Sequence, residues 1–132
     1  HTLMTFRESL ICGSRYSYLA ESSQSLKGLN TLPFIFLSEK TGTRQLYNSF
    51  FLEKNTPLHA DIEVATMDQI LPMVQHNLGL GFYPEKLTEK ASGILRIPLS
   101  DKLPERYIYL LERKDLTESI AAKKLRTFLL DK

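Results

Sequence analysis

Residues 61–84 read DIEVATMDQILPMVQHNLGLGFYP, and this stretch predicts a strand, a helix and a second strand in immediate succession. Ile62 to Ala65 is a short β-prone run. Thr66 is followed three residues later by Gln69, which is the spacing of a capping box at a helix start. Apolar residues then recur at steps of three and four, which predicts one buried helix face: Met67, Ile70, Leu71, Val74 and Leu78.

The end of this helix is predicted at Gly79, because glycine adopts the left-handed conformation of a helix C-terminus without steric cost. Gly81 to Tyr83 then forms the second strand. A helix that begins directly after a strand points its N–H groups at the carboxyl edge of the sheet, where open α/β sheets bind ligands. Thr66 is therefore either a ligand contact or only a helix cap, and the residue type allows both.

A second strand–helix junction has the same form. Pro33 to Leu37, PFIFL, is an apolar run typical of a strand covered on both faces. Ser38 to Thr43, SEKTGT, follows with hydroxyl side chains and a glycine, and a helix is predicted from Thr43 or Arg44. The two junctions are expected to meet at one polar edge of the sheet.

Hydroxyl and N–H groups at two helix N-termini favour a small anion, and a carboxylate is the predicted ligand. Phe82 and Tyr83 are expected to form an apolar wall of the same site. The candidate effector-binding residues are Ser38, Thr41, Gly42, Thr43, Thr66, Met67, Phe82 and Tyr83.

An aromatic stripe at helical spacing follows the first junction, at Tyr47, Phe50 and Phe51. Such stripes are usually core. A helix that flanks a sheet rarely buries three rings completely, so part of the stripe is also a candidate partner surface. Both interpretations stay open from the residues alone.

The remaining elements complete an α/β pattern. Strands are predicted at Phe6–Cys12, at a sheet edge, at Ile94–Leu99 and at Arg106–Arg113. Asp115 with Glu118 is expected to cap a last helix, whose apolar face carries Leu125, Phe128 and Leu129. The predicted fold is an α/β lobe with a mixed, mostly parallel sheet flanked by helices.

Composition narrows the function classes. The 132 residues are 42% hydrophobic and 24% charged with a net charge of +2, which indicates a soluble globular domain without a nucleic-acid surface. No metal-ligand, phosphate-loop or nucleophile motif is present, so an enzyme is not predicted and no cofactor is expected. Cys12 could pair with His59 or His76, but a lone cysteine in an apolar strand is usually a packed hydrophobe. One cysteine suits a reducing cytoplasm.

Three longer segments together resemble the effector-binding domain of LysR-type transcriptional regulators: LPFIFLSEKTGTRQLYNSFF, EVATMDQILPMVQHNLGLGFYPEKL and YIYLLERKDLTESIAAKKLRTFLL. The most specific pieces are Val74–Pro84 and the loop Leu37–Thr43. The resemblance implies a periplasmic-binding-protein-like fold of type 2, in which two lobes hold a small effector between them. It also implies that the eight candidate residues lie at the effector cleft.

The resemblance further implies that residues 1–132 form a partial effector-binding domain. Its predicted parts are a second regulatory lobe at about 13–105, crossing strands at about 6–12 and 106–113, and a C-terminal helix at about 116–131. A winged helix-turn-helix and the first lobe are expected elsewhere in the protein.

In function, the resemblance implies a bacterial, cytoplasmic regulatory domain that binds a small effector and controls DNA binding by the N-terminal domain, with no membrane association. It implies a homodimer through Tyr47, Phe50 and Phe51, and permits a tetramer of the full-length protein. A solute-binding component of a transport system, which shares the fold, is the alternative. The single cysteine argues against the redox-sensing members of the family.

Overall fold

A computed structural model describes residues 1–131 of the chain. It contains seven strands, namely β1 (Thr2–Phe6), β2 (Glu8–Cys12), β3 (Phe34–Leu37), β4 (Ile62–Val64), β5 (Leu80–Pro84), β6 (Leu95–Ile97) and β7 (Arg106–Tyr109). The α-helices are α1 (Gly42–Glu53), α2 (Ile70–Gln75), α3 (Glu85–Thr88) and α4 (Ile120–Leu130), and 3₁₀ segments span Ser14–Ala20 and Met67–Gln69. The chain divides into two compact units, of which the larger is Arg7–Pro104.

The larger unit is built on a five-stranded sheet in the order β4-β3-β5-β2-β6. β3 pairs in parallel with both β4 and β5, whereas β2 pairs antiparallel with β5 and β6. β2 therefore runs against the other four strands. The prediction of a mixed, mostly parallel α/β sheet flanked by helices is confirmed.

β3 is covered on both faces, as its uninterrupted apolar sequence predicted. Phe34 and Phe36 point to one side, where they join a cluster with Phe82 of β5 and the rings of α1. Ile35 points to the other side and packs with the residues of α2. Because successive side chains of a strand alternate between faces, one four-residue strand contributes to two hydrophobic layers.

The aromatic stripe of α1 closes the core. Tyr47, Phe50 and Phe51 are only 2%, 8% and 4% exposed, and the only α1 residue among the exposed large hydrophobic side chains of residues 1–131 is Leu52. The prediction that these three rings form a dimer interface is wrong, because the phenylalanines of β3 and β5 already surround them. The alternative interpretation, that the stripe is core, is the correct one.

The helix after β4 is shorter than the stretch from Met67 to Leu78 over which apolar residues recur at helical spacing. Ile70 and Val74 are buried, but Met67 is 38% and Leu78 49% exposed, so the predicted apolar face is only partly buried. The chain leaves the helix after Gln75, and Asn77 rather than Gly79 takes the left-handed conformation, with φ of 63°. Gly79 is needed for a different reason: a Cβ there would lie 2.9 Å from the carbonyl oxygen of Pro33.

The segment predicted as one strand, Phe6–Cys12, belongs to two strands in the structure. β1 ends at Phe6 and β2 begins at Glu8, and Arg7 between them accepts a hydrogen bond from Glu85 N–H at 2.9 Å. β2 is fully buried and lies inside the five-stranded sheet, so its predicted place at a sheet edge is wrong.

The smaller unit comprises His1–Phe6 and the chain from Glu105 onward. β1 and β7 form an antiparallel pair in it. Its helix α4 is capped by Ser119, whose Oγ accepts from Ala122 N–H at 3.1 Å, so the predicted cap at Asp115 and Glu118 is wrong. Asp115 is instead hydrogen-bonded by Arg113, which lowers the pKa of its carboxyl group. The lobe and crossing strands named from the family resemblance stay predictions.

Candidate functional site

The candidate site lies where β3 and β4 end side by side. Leu37 of β3 is in register with Val64 of β4, and Ser38 N–H donates to the Val64 carbonyl at 3.0 Å. The segments that follow both strands, Ser38–Thr43 and Ala65–Met67, therefore begin at the same edge of the sheet. The prediction that the two junctions meet at one edge is confirmed, and we call this edge the rim.

Thr41 builds the first half of the rim by capping α1. Its Oγ1 accepts from Arg44 N–H at 3.1 Å and donates to the Ser38 carbonyl at 2.9 Å. The single hydrogen of a threonine hydroxyl is thereby used. Thr41 shapes the rim, and its hydroxyl hydrogen does not point to a ligand.

The N-terminus of α1 is open at the next residue. Gly42 is exposed, and a Cβ built on it would meet nothing within 4 Å. Thr43 beside it is half-buried. A helix of this length, with 12 residues, concentrates partial positive charge at its first turn, so the space at Gly42 suits an anion.

The second half of the rim is the turn at Thr66, where the predicted capping box is present. Gln69 Oε1 accepts from the N–H groups of Ala65 and Thr66 at 2.9 and 3.2 Å. Asp68 adds a negative charge to this first turn. The α1 side of the rim is therefore the more favourable position for the charge of an anion, while Thr66 and Met67 border it as exposed side chains.

The predicted aromatic wall is absent from the rim. Phe82 is 3% exposed, and its ring stacks on Tyr47 inside the core with centroids 4.5 Å apart. Tyr83 is 8% exposed and packs on the opposite face of the sheet with Ile11 and Val64. The expectation that these two rings face a ligand is wrong, because both β5 side chains complete hydrophobic layers.

Sequence reasoning missed Arg44, the buried cation next to the rim. Its guanidinium donates to the Leu37 carbonyl and to Glu63 Oε1, each at 3.1 Å, and its side chain is 5% exposed. The sequence did contain a signal, since Arg44 precedes Tyr47 and Phe51 by three and seven residues and so shares their buried face.

Reactive groups outside the rim have structural partners. Cys12 is fully buried, its Sγ lies 3.5 Å from the Tyr16 carbonyl oxygen, and burial raises the pKa of its thiol. His76 contacts the Pro72 carbonyl at 2.7 Å, and His59 lies 3.4 Å from Asp61 Oδ2. Across residues 1–131 no three His, Cys, Asp or Glu side chains are arranged to hold a metal ion.

Cys12 is therefore expected to resist alkylation by iodoacetamide at pH 8 in the folded protein. The raised pKa keeps the group as a thiol, and only the thiolate reacts. Mass spectrometry should show modification within minutes in urea and little after an hour without it. Equal rates in both conditions would contradict the buried position of Cys12.

A cavity of 390 Å³ lies elsewhere in the same unit and includes no residue of the rim. Its walls include Arg7, Leu10, Arg96, Leu99 and Leu103. No helix of residues 1–131 has the length and apolar character to cross a membrane.

Comparison with solved structures supports the fold. The effector-binding domain of QuiR in complex with shikimate aligns with 98% of this chain over 62% of its own length, with a TM-score of 0.82 and 22% sequence identity. The regulatory domain of Synechocystis PCC6803 CcmR in complex with 2-PG matches 99% of this chain and 64% of its own, with a TM-score of 0.84 and 13% identity. The effector domain of AmpR from Pseudomonas aeruginosa aligns with 99% of this chain over 62% of its own length, with a TM-score of 0.70 and 15% sequence identity.

The chain thus spans less than two thirds of the length of these domains. A search among curated proteins found no match. The sequence itself matches the LysR substrate binding domain over residues 1–132, so the chain belongs to the LysR substrate-binding domain family.

Proposed function

We propose that this chain is part of the ligand-sensing regulatory domain of a LysR-type transcriptional regulator, and that the rim binds a small anionic effector. The observation that carries the proposal is the joint position of two strand ends and the N-terminus of α1, with Leu37 and Val64 in register. Ligands of open α/β sheets bind at such carboxyl edges. Family membership favours regulation over the alternative of a solute-binding component of a transport system.

The proposed effector contacts are the exposed and half-exposed groups of the rim. Ser38 and Gly42 lie at the α1 side, and Thr66 offers a hydroxyl group from the second turn. Thr43 and Met67 complete the set. Thr41 supports the site as the cap of α1, because its hydroxyl hydrogen is already used, and Phe82 and Tyr83 are not included. The effector's charged group is placed at Gly42, because Asp68 makes the Thr66 side less favourable for an anion.

A carboxylate is the proposed chemical class. Carboxylate oxygens accept hydrogen bonds from backbone N–H and hydroxyl groups, which are the donors that the rim supplies. The QuiR domain was solved with shikimate, a compound with one carboxylate, and shikimate is therefore a suitable first probe. The effector of this chain need not be the same compound, because 22% identity supports the fold alone.

The wider activity is proposed from the family. A regulator of this kind would bind DNA through an N-terminal helix-turn-helix domain, act in the bacterial cytoplasm, and form a homodimer or a tetramer. The proposal includes no catalysis and no cofactor. On α4, the side chains of Leu125 and Phe128 are 58% and 65% exposed. They are better candidates for a contact with another protein than the buried rings of α1.

The proposal is tested by a nuclear magnetic resonance titration of the ¹⁵N-labelled chain with shikimate and a panel of other small carboxylates. We expect saturable shifts at the amides of Ser38, Gly42 and Thr43 with at least one carboxylate. The methyl ester of the same compound, which lacks the charge, should produce much smaller shifts. Amides of β6, at the opposite edge of the sheet, serve as the internal control.

Two results would contradict the proposal. One is the absence of saturable shifts at the rim with every carboxylate at millimolar concentration. The other is a response that is equal for an acid and its methyl ester, since it would show that charge does not direct binding to the α1 N-terminus.

A further inference from the structure

We propose that Arg44 is a positioning residue for the rim: its guanidinium fixes the N-terminus of α1 relative to the ends of β3 and β4. The inference rests on the proposed function in one respect, namely that the rim is the binding site. The geometric part of the inference is independent of any ligand.

The first observation is that the contacts of Arg44 join α1 to both strands that end at the rim and to the loop between β3 and α1. Its side chain donates to Leu37, the last residue of β3, and to Glu63 of β4, each at 3.1 Å. It also donates to Asn48, one turn along α1, at 3.1 Å. Glu39 in the loop lies 3.6 Å from the guanidinium.

The second observation is the burial of this charge. The side chain is 5% exposed, and its guanidinium carbon lies 5.7 Å from the ring centroid of Phe36. Charged side chains are almost never fully buried unless they are paired, and here Leu37, Glu63 and Asn48 are partners that lie in β3, β4 and α1. Arginine can satisfy several acceptors at once because its donors form a rigid planar fork, which lysine lacks.

The third observation is that the backbone alone does not determine the position of the start of α1 relative to β3 and β4. The parallel ladder fixes β3 to β4, with Phe36 and Leu37 paired to Glu63 and Val64. The start of α1 is connected to these strands through the four-residue loop and the Thr41 cap. Arg44 adds the direct link between the helix and both strand ends, so the distance from Gly42 to Thr66 depends on it.

A purely structural role predicts a different result from a positioning role. If the aromatic residues of α1 alone set the helix position, removal of the guanidinium would weaken the whole unit evenly. If Arg44 positions the rim, its removal should loosen the rim more than the rest of the sheet. Amide hydrogen exchange, measured residue by residue, separates these two outcomes.

The experiment uses Arg44→Met, Arg44→Lys and Glu63→Gln in the full chain, without ligand and then with shikimate. We expect exchange at the hydrogen-bonded amides of the rim, those of Ser38, Thr41, Ala65 and Thr66, to rise at least about tenfold in Arg44→Met, the equivalent of one lost charge-assisted hydrogen bond. Exchange at β2 and β5 should rise by less. Arg44→Lys should fall between Arg44→Met and the unmodified chain. Glu63→Gln, which keeps the guanidinium but weakens one partner, should loosen mainly Ala65–Met67.

Arg96→Met is the matched control, because Arg96 also forms an ion pair, with Glu85, but lies on β6 away from the rim. It should leave exchange at the rim unchanged. Should Arg44→Met fail to fold, Arg44→Lys and Glu63→Gln decide the question by the same measurement. An even rise at all amides, or no rise at the rim, would overturn the inference.

The measurements with added carboxylates distinguish the proposed function of the rim from the proposed role of Arg44. If shikimate and the other carboxylates do not bind the unmodified chain, the proposed function fails, while the exchange data still decide the role of Arg44. If a carboxylate binds, its affinity should fall about tenfold or more in Arg44→Met and remain unchanged in Arg96→Met.

Discussion

Phe82→Ala is expected to lower the free energy of unfolding of the chain by about 3–5 kcal/mol, the usual cost of removing a buried phenylalanine ring. Phe82 lies inside the aromatic cluster and contacts rings from both β3 and α1. Its centroid lies 4.5 Å from that of Tyr47, 5.9 Å from that of Phe36 and 6.1 Å from that of Phe51. Because neighbouring rings on a strand and a helix cannot collapse into the space, a cavity should remain.

This loss is large compared with the roughly 5–15 kcal/mol that stabilises a typical domain. Urea unfolding followed by circular dichroism should show the transition of Phe82→Ala shifted to much lower denaturant concentration, or no folded baseline at all. Leu52→Ala is the control, since Leu52 lies on α1 but is 68% exposed, and it should change stability by less than about 0.5 kcal/mol. Equal effects of the two substitutions would refute the description of this core.

Gly42→Asp is expected to weaken carboxylate binding at the rim at least about tenfold, while the protein stays as stable as before or becomes slightly more stable. The side chain has room, because nothing lies within 4 Å of a Cβ at this position. An aspartate in the first turn of a helix is favourable by about 0.3–1 kcal/mol. Its carboxylate would occupy and neutralise the position that we assign to the effector's charge.

Gly42→Ala is the control for this substitution, as it adds the Cβ without the charge and should bind like the unmodified chain. Calorimetric titration with the carboxylate identified by the amide shifts gives the affinities, and thermal unfolding gives the stabilities. Unchanged affinity in Gly42→Asp would place the anion elsewhere. Loss of binding in both variants would point to backbone or steric effects rather than charge.

The sequence determined the local structure of the rim and the class of the fold. The apolar run Pro33–Leu37 predicted a strand covered on both faces, and the spacing of Thr66 and Gln69 predicted the cap after β4. Both features can be seen in the local sequence, since an unbroken apolar run is the pattern of a strand covered on both faces and a capping box involves only residues three apart. Their order along the chain was enough to predict that both strands end at the same edge.

The tertiary structure decided which side chains face the core. Tyr47, Phe50 and Phe51 have the same sequence pattern whether they lie against a sheet or against a second protein, and only the presence of Phe34, Phe36 and Phe82 opposite them buries the stripe. In the same way, Phe82 and Tyr83 follow a glycine in the central strand β5, and alternation along that strand sends their rings into two different hydrophobic layers.

The burial of the Arg44 side chain was also determined by the tertiary structure. Three of its hydrogen-bond and ion-pair partners, Leu37, Glu39 and Glu63, come from segments other than α1. Sequence patterns report the period of a helix or strand and the residues that cap it, because these depend on neighbours in the chain. Whether a charged side chain is buried depends on acceptors brought to it by the packing of distant segments, and that information exists only once the sheet and helix are assembled.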